Sequence, residues 1–227
     1  MLDAIIDGRY CIEYGLYVAE RPRIPTPEHR VETYTVDYRD GELVRKKGLS
    51  NINFPVEFNI LENYNIKQNL REIKAWLMNA ETIRFTDDDV HYRIKYTSID
   101  DIENDVDCYG YFTVNFTCDP FQYAPTNSFV LTSGKTIINI GTYVALPKIT
   151  IYGSGDMVLT VNGSSITLKA ISEYIVLDSE LMDAYKGIKN MNSCMVGTFP
   201  VLEVGKNEVG WSGAVEKIVM EPRWRYL

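Results

Sequence analysis

Only two histidines are present, His29 and His91, so there is little material for a histidine-based hydrolase or a multi-histidine metal centre. His29 follows Pro27 by two residues and reads as a loop residue, while His91 falls on the polar side of an alternating segment. No H-E-x-x-H, G-x-S-x-G or P-loop pattern occurs. Carboxylates gather at Asp100, Asp101, Glu103, Asp105 and Asp107, and again at Asp87-Asp88-Asp89. Such oxygens suit Ca²⁺, but neither run has the D-x-[DN]-x-[DN]-G register with a Glu at position twelve, so both read as solvated acidic loops. Gly153-Ser154-Gly155 opens like a dinucleotide fingerprint, yet Val158 holds the third glycine place and no helix follows, which leaves a hairpin turn. Two carboxylates able to hydrolyse a glycoside are not excluded by spacing, but no nucleophile and base stand together in any recognised pattern. The four cysteines, Cys11, Cys108, Cys118 and Cys194, form no C-x-x-C pair and read as buried thiols. The sequence therefore assigns no catalytic, cofactor-binding or metal-binding residue, and a non-enzymatic protein is expected.

The elements around these residues are mostly strands. Tyr34, Val36 and Tyr38 alternate with Thr33, Thr35 and Asp37 up to Asp40-Gly41, which predicts a hairpin over about residues 31–46. Its return strand ends in Arg45-Lys46-Lys47, a solvated strand end or a contact for an acidic partner. Ile66, Leu70, Ile73 and Leu77 share one face and predict a helix over 66–79, with Asn65 and Gln68 placed as a capping box and Trp76 at the edge of the stripe. Strands follow at 82–85 and at Val90, Tyr92, Ile94 and Tyr96, with a turn at 87–89 between them. A longer strand carries Phe112, Val114, Phe116 and Cys118 on one face and is expected to stop at Pro120. Ala124-Pro125-Thr126-Asn127-Ser128 marks a domain boundary. Beyond it come short β runs at 148–152, 157–161, 165–168, 174–177, 209–211 and 214–220. Their turns are expected at Gly153-Ser154-Gly155-Asp156, Asn162-Gly163 and Gly205-Lys206-Asn207, the pattern of a β-sandwich.

A chain of 227 residues fits two domains or one large all-β domain. Its 45% hydrophobic and 24% charged residues exclude a disordered or collagenous protein. No apolar run approaches the roughly 18 residues of a membrane span, and no basic-then-apolar leader opens the chain, so a soluble, non-exported protein is expected. Two N-x-[ST] sequons, at Asn115 and Asn162, carry no meaning in that setting. A net charge of −8 argues against tight binding to a phosphate backbone. Tyrosine is abundant, at 16 residues against three tryptophans, which suits half-buried strand faces and protein interfaces.

Three stretches together resemble the distal tail protein (Dit) family of long-tailed phages and prophages of Gram-positive bacteria. The first is Gly15-Leu16-Tyr17-Val18, then Pro27-Glu28-His29-Arg30-Val31-Glu32, then the Asp40-Gly41 turn. The second runs from Gly110 to Tyr123 and matches a G-x-F-x-V-x-F-x-C-x-P-F-x-Y signature through Gly110, Phe112, Phe116, Cys118, Pro120, Phe121 and Tyr123. The third comprises Pro147 to Asp156, Phe199-Pro200, Gly205-Lys206-Asn207 and the ending Pro222-Arg223-Trp224. The family often shows Gly ahead of the Arg-Asp-Gly turn of the first hairpin, where this chain has Tyr38.

The resemblance implies a mainly β chain. Residues 1–125 would form a ring-making belt domain, a β-sandwich with one α-helix, and residues 129–227 a galectin-like β-sandwich. It implies a homohexameric ring at the virion tail tip, assembled in the host cytoplasm, that joins the tail tube protein to the hub or tail-associated lysin. DNA would meet the ring only in transit, and the expected channel lining is Asp101, Asp105 and Asp107. The alternative is a carbohydrate-binding module recognising the host envelope. Against it, the second domain has no histidine, and Trp211 is followed by Ser212-Gly213 rather than by galectin-type sugar-binding residues, so sugar binding there is not expected.

Overall fold

The computed structural model describes residues 2–61, 66–101, 103–104 and 109–227. Among these the chain is mainly β with one α-helix, as expected, and it divides into two compact units, Met1–Gln122 with Leu227, and Tyr123–Tyr226. No helix among the described residues is long and apolar enough to cross a membrane.

The first unit contains β1 (Ala4–Ile6), β2 (Arg9–Tyr10), β3 (Leu16–Val18), β4 (His29–Tyr34), β5 (Leu43–Leu49), β6 (Ile52–Leu61) and α1 (Ile66–Met78). β7 (Thr82–Phe85), β8 (His91–Ile99), β9 (Glu103–Asn104) and β10 (Tyr109–Tyr123) follow. A sheet runs in the order β2–β1–β7–β8–β10–β6–β3, with β9 added on β10. The alternation read in the sequence sets the register of its centre: Phe112 faces Phe58, Val114 faces Val56 and Phe116 faces Phe54. All six side chains are buried, with ring centroids 6.0 Å apart for Phe58 and Phe112 and 5.8 Å for Phe54 and Phe116. Burying each such side chain stabilises the fold by roughly 1.5–3 kcal/mol. Leu70, Ile73 and Leu77 of α1 complete this core, and Trp76 at the stripe's edge stacks on Tyr14 at 4.5 Å. Asn65, the expected cap, and the side chain of Gln68 lie outside the described residues.

Two strand readings need correction. In β8 the inward set is Tyr92, Ile94 and then Thr97, while Tyr96 is exposed. The alternation slips by one residue after Ile94, which turns the rest of the strand over. In β10 the strand does not stop at Pro120 but continues to Tyr123. The ladder to β6 ends at Cys118 opposite Ile52, so on that side no backbone donor is required at residue 120.

The second unit contains β11 (Phe129–Leu131), β12 (Lys135–Asn139), β13 (Lys148–Val161), β14 (Ser164–Ile171), β15 (Tyr174–Asp178), β16 (Asp183–Lys186), β17 (Lys189–Asn190), β18 (Met195–Val196), β19 (Gly205–Glu221) and β20 (Arg225–Tyr226). One path runs β11–β19–β13–β15–β16–β17, while β12 joins β19, and β14 joins β13 and β18. The expected short runs 148–152 and 157–161 are thus one strand, and 209–211 and 214–220 are another. Gly153 to Asp156 is a bulge rather than a hairpin turn, and the β13–β19 register shifts there. A Cβ on Gly153 would lie 2.2 Å from the Ala214 carbonyl oxygen, and one on Gly213 would lie 2.5 Å from that of Asp156. Only paired glycines let both strands bend at the same level. The Asn162-Gly163 turn is as expected, with both residues left-handed between Val161 and Ser164. Gly205-Lys206-Asn207 is no turn but the start of β19, where Gly205 pairs with Asn139.

Candidate assembly surface

The signature residues are packing residues. Phe112, Phe116 and Cys118 point into the first core, Gly110 is buried beside them opposite Ile60, and Phe121 and Tyr123 are nearly covered. Pro120 is half-buried. Phe199 and Trp224 pack against the second core, with Pro200 and Pro222 buried. Arg223 differs in making polar contacts. Its guanidinium grips Asp178 in two parallel hydrogen bonds of 2.8 and 2.9 Å and reaches Glu180 at 3.1 Å. Burial works against the Asp178 charge, but Arg223 and the backbone N–H groups of Leu181 and Glu180 hold the carboxyl below its ordinary value. Arg223 makes this grip from a left-handed backbone, φ 54°.

Among the described residues the reactive types are dispersed or buried. Burial pushes the Cys11 thiol far above its ordinary range, with the Asp3 charge adding to it, and pushes Cys118 up to about 12. Cys194 is half-buried, and Cys108 lies outside the described residues. His91 is held below its ordinary value by burial and then by Arg93 and Arg84. Among the described residues no group of three His, Cys, Asp or Glu is placed to hold a metal. Asp101 is exposed, while Asp105 and Asp107 lie outside the described residues. Neighbouring Asp100 accepts a hydrogen bond from Asn115 at 3.0 Å. Trp211 packs against the second core rather than standing free as a stacking platform.

Two features stand out on the surface of the first unit. The hairpin β4–β5 forms a two-stranded sheet of its own. Val31, Tyr34, Val36, Leu43 and Val44 all remain exposed on it. Tyr34 pairs with Leu43, so the strands end earlier than the alternation suggests and residues 35–42 form the turn. No buried face holds Val36 and Tyr38 to a strand period. Tyr38 is left-handed at φ 63° and fully exposed, at the place where the resemblance leads one to expect glycine; Gly41 is left-handed as well. Asp40 is exposed beside it. The stem is cross-linked by Lys47 and Glu32, whose charges meet at 2.6 Å.

The second feature is a cleft of about 160 Å³ under the strap of Arg21, Pro22, Arg23, Ile24 and Pro25. Phe54, Phe85 and Tyr92 line it, and Arg21 reaches across to Asp87 in an ion pair. Gln122 donates to the Tyr92 hydroxyl. Sequence reading missed this cleft; its only local signal was the spacing of Pro22, Pro25 and Pro27.

The arrangement of strands, helix and kinked sandwich matches the crystal structure of SPP1 Dit (gp 19.1) with a TM-score of 0.75 over the full length of both chains, at 15% identity. The fold is that of Dit. That protein is described as a paradigm of the hub adsorption apparatus in phages that infect Gram-positive bacteria. Two structures of the phage p2 baseplate in its activated conformation, with Sr and with Ca, align over 97% of this chain and 98% of theirs. They do so at 10% identity with TM-scores of 0.49 and 0.46. No family model matches the sequence, and no curated protein matches it. The Dit likeness therefore rests on the path of the chain, which is shared by both units.

Proposed function

We propose that the protein is a structural component of a phage tail tip, built as a homohexameric ring between the tail tube protein and the hub or tail-associated lysin. In this reading residues 1–125 are the ring-forming belt, residues 129–227 are a galectin-like domain on it, and the chain has no catalytic role. The observation that carries the reading is the full-length Dit fold, both units in the same order. The isolated β4–β5 ribbon supports it, since a two-stranded hairpin with both faces in water is marginal alone and gains stability from a neighbour.

DNA crosses the ring without sticking, which requires a bore that is neutral or acidic. Each chain contributes −8 to such an assembly, and Asp101, Asp105 and Asp107 are the residues we assign to the channel. The carbohydrate-binding alternative gains no support from Trp211, which is partly buried and packed against the core. The test is direct: antibody against this chain should label tail tips of purified particles, and the purified protein should sediment as six copies. Labelling along the tail shaft or on the head would overturn the reading.

A further inference from the structure

We propose that the hairpin tip Asp37-Tyr38-Arg39 of one copy inserts into the cleft beneath the Arg21–Pro25 strap of the next. The proposal rests on the ring reading above and names the contact that closes the ring. Tyr38 is the most exposed large side chain of the first unit, held outward by a left-handed backbone that costs energy for any residue other than glycine. A strained, solvent-facing aromatic is an anchor awaiting a pocket.

The cleft has the matching chemistry. Its volume of about 160 Å³ accommodates one aromatic ring, its floor is Phe54, Phe85 and Tyr92, and its rim carries Ile24, which is 84% exposed. The charges on either side are complementary. Arg21 and Asp87 already satisfy each other, which leaves Arg23 free of any side-chain partner among the described residues and Asp88 with one oxygen taken only by the Val90 N–H. Asp37 and Arg39, which flank Tyr38, carry no side-chain partner of their own among the described residues. Asp37 therefore faces Arg23, and Arg39 faces Asp88.

Within one chain the ribbon carries its tip away from the root beside the strap. The strap leads through Glu28, whose carbonyl oxygen accepts from the Ser50 N–H at the root of the ribbon, into β4. From there six residues of strand, at about 3.3 Å each, carry the turn roughly 20 Å away. The knob and the cleft are different patches of one surface, so the contact is head-to-tail, the kind that generates a ring when its rotation closes.

The experiment places the photocrosslinker p-benzoylphenylalanine at position 38 and mixes light and isotopically heavy chains. We expect crosslinks between light and heavy chains that map to the strap or to residues 85–92. Crosslinks within one chain, or to any other segment, overturn the proposal whatever the mass of the particle. In parallel, Tyr38→Ala should raise the concentration needed for half-assembly by about tenfold or more. Arg23→Asp should do the same, and adding Asp37→Arg to it should restore assembly. All these positions are exposed, so circular dichroism should be unchanged. A ring that persists through both single substitutions overturns the contact and leaves the ring reading intact, whereas a wild-type chain that remains monomeric with no crosslink overturns both.

Discussion

Arg223 shows what a single residue contributes when its partner is buried. Asp178 is 2% exposed and its two oxygens are taken by the guanidinium, so removing the arginine strands a carboxylate where water does not reach it. Arg223→Ala should cost about 3 kcal/mol, the low end for breaking a buried pair, because the Arg223 side chain keeps 18% of its surface in water. Thermal or urea unfolding measures it. The difference should shrink on acidification: the folded pKa of Asp178 is lowered, so its stabilisation is complete above the ordinary carboxylate value and is lost as pH falls through the folded one. A second residue-scale expectation concerns the thiols. Cys11 and Cys118 are buried with raised pKa values and should resist alkylation at pH 8 in the native protein and react fully in denaturant, as read by peptide mass spectrometry. Early labelling of Cys118 would mean that β10 opens easily.

At the level of elements, legibility followed burial. The β10 face and α1 were readable because Phe112, Val114, Phe116, Leu70, Ile73 and Leu77 answer to one core, which enforces a period on the sequence. The ribbon was readable only as a hairpin, since nothing behind Tyr34, Val36 and Tyr38 holds them to alternate. The long bent strands were misread because Gly153-Ser154-Gly155 signals a turn and a bulge alike. What decides between them is Gly213, sixty residues away, and sequence reading does not pair the two. The bridging roles of Asn139 and Asn207 were missed for a similar reason. Asn139 is buried and ties residues 141, 143 and 202, and Asn207 ties residues 162, 203 and 205, so each serves loops distant in the chain. The bent-strand account makes its own prediction. Gly153→Ala should destabilise the second unit by more than about 3 kcal/mol, since its Cβ meets backbone rather than a movable side chain. Gly163→Ala meets nothing within 4 Å and should cost only the strain of its left-handed φ, on the order of 1 kcal/mol. Thermal unfolding of the two variants side by side gives the ranking, and equal losses would argue against a coupled bend.

For the molecule as a whole, charge is the property to test. Changing Asp101, Asp105 and Asp107 together to Lys shifts each chain from −8 to −2 and, in the ring we propose, places cations in the path of DNA. We expect particles that assemble normally but deliver DNA more slowly, with the defect relieved at higher salt; normal delivery would remove these residues from the channel assignment. The motif residues behave differently, because Phe112, Phe116 and Trp224 serve cores and their loss should reduce the yield of folded chain before any effect on assembly is seen.

The bent pair β13 and β19 also determines how the second unit would carry a load. The two strands lie side by side and antiparallel, paired from Lys148 with Glu221 to Val161 with Val209. Force applied along them is shared by the whole ladder at once, whereas force applied across them parts it rung by rung. A unit that is pulled along these strands is therefore stiff, and one that is peeled sideways yields. Single-molecule pulling from two pairs of attachment points, one along β13 and one across it, should show a rupture force that depends on direction in a unit whose composition is otherwise ordinary.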